Sequence, residues 1–278
     1  RSYPVGMKIA ADYFEKGLGK SLGFLVGALV LGTAFPHLIK ALSMQKSWEY
    51  VSYTTSGLSI VGGGILFYGV KDGPYRKKLG KIQFAALGNV FRIPLLRKYA
   101  FGYFGHMWEL YTFWTFVPLM LSQKLNSLDY NYSILSFSII GFGALACFIS
   151  GILSNWLSGH RIALIAVTVS GACCLFFPLV FCYASNDLYI AFLFFWGVFV
   201  VADSPMFSSL VAANAPAELR GSTLTLVNSI GFLITILSIQ FTGQMLKYLP
   251  FYYVWTILAI GPVFAVLQLV NRSNKLKL

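Results

Sequence analysis

Eight apolar stretches follow one another along this chain, and almost nothing between them is large enough to be a domain. They cover residues 22–42, 50–70, 100–121, 132–157, 162–184, 188–213, 223–245 and 251–270. A helix needs roughly 20 apolar residues to cross about 30 Å of hydrocarbon. The chain is therefore expected to fold in a bilayer as an all-α integral membrane protein. Its polar residues must be read against lipid. Eight consecutive spans point to a transporter or channel body, because an anchor needs only one.

The formal net charge is +12, which in isolation could signal nucleic acid. Its distribution points to a membrane surface instead. Lys71, Arg76, Lys77, Lys78, Lys81, Arg92, Arg97 and Lys98 crowd the one long connection, between the second and third runs. Lys8, Lys16 and Lys20 precede the first run, and Arg272, Lys275 and Lys277 follow the last. Alternate connections carry only Lys40, Lys46, Lys124 and Lys247. Loops rich in Lys and Arg stay on the cytoplasmic side. Both ends of the chain are thus expected toward the cytoplasm of a cell membrane, with lipid and not nucleic acid as partner.

Arg1 stands where a methionine would begin a chain, and residues 2–14 read as the end of a helix already under way. The sequence is expected to be a piece of a longer protein. Sliding it by 201 residues sets Pro4 on Pro205, Ala11 on Ala212, Leu18 on Leu219, Ser21 on Ser222, Leu25 on Leu226 and Val26 on Val227. In both copies a proline-containing helix enters a short charged turn. A new helix is then expected to start at a serine N-cap, Ser21 or Ser222. Such an offset suits a duplicated six-helix bundle, which would place a solute near the midplane beside Pro or Gly interruptions. Pro205 lacks an N–H and frees the carbonyl of Val201. The expected organisation is the end of an N-terminal bundle over 1–70, a basic cytoplasmic linker over 71–98, a six-helix bundle over 99–271 and a cytoplasmic tail over 272–278. Gly19, Gly23, Gly27 and Gly32, and the run Gly62-Gly63-Gly64, are expected to permit close helix packing.

Glu109 and Asp203 are the acidic residues deepest in full spans. A charge there costs from about 3 to more than 10 kcal/mol, so a functional role is the default expectation. His106 lies three residues before Glu109, a neighbour on one helix face. Tyr103 and Thr112 extend the stripe. Proton handling is expected through Glu109 or Asp203. Asp203 adjoins Ser204 and the break at Pro205, with Trp196 two turns earlier. The repeat sets Asp203 on Ser2, beside Arg1. Arg1 and Asp203 are therefore expected to face one cavity from opposite halves, an arrangement that would yield to an anionic solute. Pro4, Pro205, Ser204, Trp196 and Asn228 complete the candidate cavity and helix-break set. Asn228 suits a bond to a solute or, more simply, across helices. Cys147, Cys173, Cys174 and Cys182 all fall inside apolar runs, without metal-ligand spacing. No metal, cofactor or enzyme activity is expected, since no nucleophile–base set or phosphate-cradling glycine loop is visible.

The segment Ala202-Asp203-Ser204-Pro205-Met206-Phe207-Ser208-Ser209-Leu210, continuing through Asn214–Ser222 into Leu226–Phe232, resembles the tenth helix, cytoplasmic turn and eleventh helix of bacterial members of the major facilitator superfamily. Tyr3–Lys8 and Gly19–Gly23 resemble the fourth and fifth helices. The resemblance implies a major-facilitator-type helical bundle, with part of the N-terminal half and the complete C-terminal half present. It also implies a bacterial inner membrane, and secondary active transport of a small solute by alternating access. The family's loop between its eighth and ninth helices reads Gly-x-x-x-Asp-Arg-x-Gly-Arg-Arg. Here Gly151–Arg161 carries Asn155 for the Asp and Trp156 for the first Arg, with one extra residue before the glycine. The resemblance implies gating roles near the cytoplasm for Asn155, Arg161, Glu218 and Arg220. The altered loop leaves an alternative: a membrane sensor or assembly component that kept the fold and lost transport.

Overall fold

A computed structural model describes residues 6, 7, 9, 13, 18–43, 47–71, 73, 74, 90–126 and 129–271. Among them every regular element is helical. In chain order these are α1 (Leu18–Leu42), α2 (Trp48–Gly69), α3 (Pro94–Lys124), α4 (Tyr132–Leu153), α5 (Gly159–Tyr183), α6 (Asn186–Ala202), α7 (Ser204–Asn214), α8 (Arg220–Met245), the short α9 (Phe251–Val254) and α10 (Ile260–Val270), the last two joined by a 3₁₀ segment, Trp255–Ala259. All eight apolar runs are helical. Six spans are both long and apolar enough to cross a membrane: Gly19–Leu42, Tyr132–Leu153, Gly159–Tyr183, Asn186–Asn214, Arg220–Met245 and Phe251–Val270. α2 and α3 have the length, at 22 and 31 residues, but are less greasy. Ser, Thr and Gly dilute α2, and Tyr, Trp, His and Glu dilute α3.

Local chemistry sets most helix ends. Asn131 caps α4, its Oδ1 accepting from the N–H groups of Ser133 and Ile134 at 3.1 Å each. Ser158 and Ser185 cap α5 and α6 in the same manner. Pro94 occupies the first turn of α3, where its missing N–H costs nothing. The serine caps expected from the repeat do not form. α8 starts at Arg220, fed directly by the 3₁₀ turn Ala217–Leu219, so Ser222 sits inside its first turn. Ser21 likewise lies inside α1. Arg1, Pro4, the cluster Arg76–Lys81 and the tail 272–278 lie outside the described residues.

Glycine governs several helix contacts among the described residues, two of which show how. A Cβ on Gly23 would stand 2.8 Å from the Cys147 carbonyl oxygen and from Gly151 Cα, so α1 and α4 touch backbone to backbone. Gly27 meets the Phe148 ring and Gly19 the Ser154 hydroxyl, while Gly32 faces nothing within 4 Å among the described residues. Between α3 and α10 the contact is reciprocal: a Cβ on Gly105 would strike the Gly261 carbonyl, and one on Gly261 the Gly105 carbonyl. Gly62, Gly63 and Gly64 correct the expectation of close packing. Nothing among the described residues comes within 4 Å of them, and α2 buries no residue. A glycine run shows that a close approach is possible; it does not supply the helix that approaches.

Two apolar clusters fill the interior. One gathers Phe113, Trp114, Phe177, Tyr189, Trp196 and Trp255. The other gathers Met7, Tyr103, Met107, Met206, Phe207 and Val227. At the edge of the first, Lys124 closes the end of α5. Its Nζ donates to the carbonyls of Phe181 (2.5 Å), Ala184 (2.8 Å) and Val180 (3.3 Å). It also lies 5.3 Å from the Tyr189 ring centroid. A cation at a helix C-terminus satisfies orphan carbonyls and opposes the macrodipole. Lys124→Met keeps the stem and removes the charge, and is expected to cost about 1–2 kcal/mol, read as a lowered thermal midpoint in detergent.

Candidate functional site

The site forms where the sixth helical span breaks. α6 ends at Ala202 and α7 begins at Ser204, with Asp203 as the joint between them. Pro205 falls in the first turn of α7, where a missing N–H is tolerated. The carbonyl it frees, that of Val201, accepts from the Asp203 N–H and from the Cys147 thiol on α4, with sulfur at 3.6 Å. A break expected from one proline is thus made good by a neighbouring helix.

Asp203 and His106 meet at this joint. His106 Nδ1 stands 2.8 Å from Asp203 Oδ1, and each side chain is 1% exposed. The contact is an ion pair whenever the imidazole is protonated. His106 is held between the rings of Tyr103 and Phe207, at centroid distances of 5.8 and 5.9 Å. Among the described residues, His106 Nε2 and both carboxylate oxygens of Asp203 lack a well-aligned hydrogen-bond partner. Such orphans are costly in hydrocarbon.

Glu109 is equally buried, at 1% exposure, yet its company differs. Trp196 Nε1 donates to Oε1 at 2.7 Å, Cys174 Sγ to the same oxygen at 3.2 Å, and Ser170 Oγ to Oε2 at 2.9 Å. The expected stripe of Tyr103, His106, Glu109 and Thr112 therefore does not act as one polar face. Three residues turn an α-helix by about 300°, so the stripe drifts by about 60° at each step. Tyr103 donates to Asn228 Oδ1 at 2.7 Å, Thr112 shares a 2.7 Å bond with Ser238, and His106 and Glu109 reach different neighbours. Asn228 accordingly bonds across helices, its Nδ2 also reaching Met7 Sδ at 3.4 Å. Trp196 is fully buried and turned to Glu109.

Arg1, the expected partner of Asp203, lies outside the described residues; the partner present is His106. Asn155 and Glu218 are exposed in the α4–α5 and α7–α8 connections, Arg161 is exposed in the first turn of α5, and Arg220 is half-buried. Sequence reasoning missed Ser170 and Cys174, although two polar residues four apart in an apolar run share a helix face. It also missed a narrow crevice beside the joint, with a cavity volume of about 10 Å³, lined by Val30, Tyr103, Tyr111, Trp114, Ser204 and Phe232 among others. No group of three or more His, Cys, Asp or Glu among the described residues could hold a metal ion.

A family profile described as Major Facilitator Superfamily matches residues 2–239. No curated protein matches the chain.

Proposed function

The chain belongs to the major facilitator superfamily, and from that premise we propose that it moves a small solute by alternating access, coupled to protons through His106 and Asp203. Membership makes it a multi-pass membrane transporter, with the bilayer as solvent. The observation that carries the finer assignment is the buried 2.8 Å contact between His106 on α3 and Asp203 at the α6–α7 joint.

With both groups charged, the pair draws α3 against the joint. A proton added to Asp203 leaves the imidazolium without its counter-ion. A proton taken from His106 leaves the carboxylate alone. Either change removes an attraction that is strong inside a low-dielectric core and leaves an uncompensated buried charge. The proton count therefore sets how firmly α3 holds α7, and helices moving about a midplane break are what alternating access requires. Glu109, fully hydrogen-bonded, serves as the fixed neighbour and Asp203 as the responsive one. The basic connection over residues 71–98 faces the cytoplasm in this scheme. An anionic solute would need a cation at the cleft, and the one the sequence offers, Arg1, lies outside the described residues.

Proteoliposomes under an imposed pH gradient, screened with labelled small solutes, supply the test. For the solute that accumulates, Asp203→Asn and His106→Gln are expected to lose most of the gradient-driven uptake while keeping gradient-free counterflow. Unchanged acceleration by the gradient in both variants, at every pH, sinks the coupling.

A further inference from the structure

We infer that Tyr103 and Asn228 are positioning residues: through the Tyr103 ring, α8 aims the His106 imidazole at Asp203. As a part of coupling, this rests on the proton assignment above; as the orientation of one ring, it is read without any transport.

His106 Nδ1 comes within 2.8 Å of Asp203 in few of the conformations open to the side chain. χ1 has three staggered wells, and an imidazole turns broadly about χ2. Most of these settings carry Nδ1 away from the carboxylate. The flanking rings, tilted to the imidazole by 36° for Tyr103 and 40° for Phe207, select the one observed.

Each flank is fixed by a different helix. Phe207 lies directly on α3, since a Cβ on Gly102 would stand 2.5 Å from its ring. Tyr103 is held from α8 at two points. Its hydroxyl donates to Asn228 Oδ1 at 2.7 Å. One turn on, a Cβ on Gly231 would stand 2.7 Å from Tyr103 Cε1, so the α8 backbone bears on the ring edge. Asn228 and Gly231 are three residues apart and share a helix face. The Asn228 amide also reaches the Met7 sulfur at 3.4 Å, a weak acceptor, so the tyrosine is its firmer tether.

A displacement of α8 against α3 carries the Tyr103 ring with it and takes one flank from the imidazole. Linkage makes the effect reciprocal: a change in the charge of the pair alters how firmly α8 is held. The titratable groups about the pair are Tyr103 and Glu109 on α3, Asp203 at the joint and Cys147 on α4. The charged residue of α8, Arg220, lies eight positions before Asn228. A second α3–α8 bond, Thr112 to Ser238 at 2.7 Å, begins six residues beyond His106 and touches neither flanking ring.

Solid-state NMR at one fixed pH, on the protein in lipid with 15N-labelled histidine, makes the test. His37, His106 and His160 are the histidines, and His106→Gln assigns the signal. A single His106 Nδ1 resonance is expected, displaced in Asp203→Asn. Tyr103→Phe keeps the ring and removes the tether, and is expected to broaden or split that resonance by about twofold or more. Asn228→Val removes the acceptor from the other side and is expected to do the same. Gly231→Ala deletes no polar group and is expected to shift the resonance by moving the Tyr103 ring. Thr112→Val deletes the other bond between the same two helices and is expected to leave it as in wild type. If Asn228→Val does not fold, Tyr103→Phe and Gly231→Ala carry the test. A wild-type resonance in both of these, folded, overturns the proposal. So does an equal change in Thr112→Val. In proteoliposomes Tyr103→Phe is expected to lose most of the gradient-driven uptake and keep counterflow. A wild type indifferent to the gradient removes the assignment above, and the resonance still decides the orientation.

Discussion

Gly105→Leu is expected to yield no monodisperse, folded protein. The leucine Cβ alone would strike the Gly261 carbonyl, with the Ala265 Cβ at 3.0 Å and its backbone nitrogen at 3.1 Å. A flexible side chain could step aside, but a helix backbone cannot. α3 and α10 would have to separate along their contact. Overpacking a well-filled core costs typically about 1–3 kcal/mol, and more where the backbone must move. Lipid offers no hydrophobic push to restore the association, since close packing is itself what holds membrane helices together. Gly57→Leu on α2, where nothing lies within 4 Å among the described residues, is the control and is expected to behave as wild type. Size-exclusion profiles after detergent extraction would separate the two. Equal yields and equal elution for both variants would refute the helix contact.

Glu109→Ala is expected to lower stability by roughly 2–4 kcal/mol, whereas Glu109→Gln stays within about 1 kcal/mol of wild type. Alanine strands three donors, from Trp196, Cys174 and Ser170, in a buried site. A buried unsatisfied group costs about 1–3 kcal/mol. Interhelical bonds in membranes average only about 0.6 kcal/mol, because the groups often find other partners. The closely packed surroundings of Glu109, with Phe113 only 4.6 Å from the Trp196 ring centroid, leave little room for that escape and set the estimate above the average. Glutamine keeps an acceptor for Trp196, and the Ser170 hydroxyl can turn to accept from the new amide. Thermal midpoints in detergent read the difference. A Gln variant as unstable as the Ala variant would show that the carboxyl does more than accept hydrogen bonds.

The spans were legible because the bilayer fixes their length: a run of apolar residues of that size has few other fates. The α6–α7 break was legible for an equally local reason, the N–H that Pro205 lacks. His106 shows where local reasoning stops. Its spacing pointed to Glu109, three residues away, but the imidazole lies against Asp203 on another element. Periodicity describes a face and carries no knowledge of what stands opposite. The same limit explains Gly62–Gly64, where the glycines met no neighbour among the described residues, and Ser222, where the turn Ala217–Leu219 ran straight into the helix and left no cap position to fill. The contact of the Tyr111 and Phe232 rings was invisible because α3 and α8 are brought together only by folding.

Sulfur is a feeble donor, and it is a thiol, that of Cys147, which reaches from α4 to the carbonyl bared by Pro205, beside the N–H of Asp203. The grip of α4 on the broken span at this point is thus friction and not a bolt. Tilting one half of the broken span against the other gives up little there. An oxygen in place of that sulfur would grip harder, so the firmness of this one contact turns on the identity of a single atom.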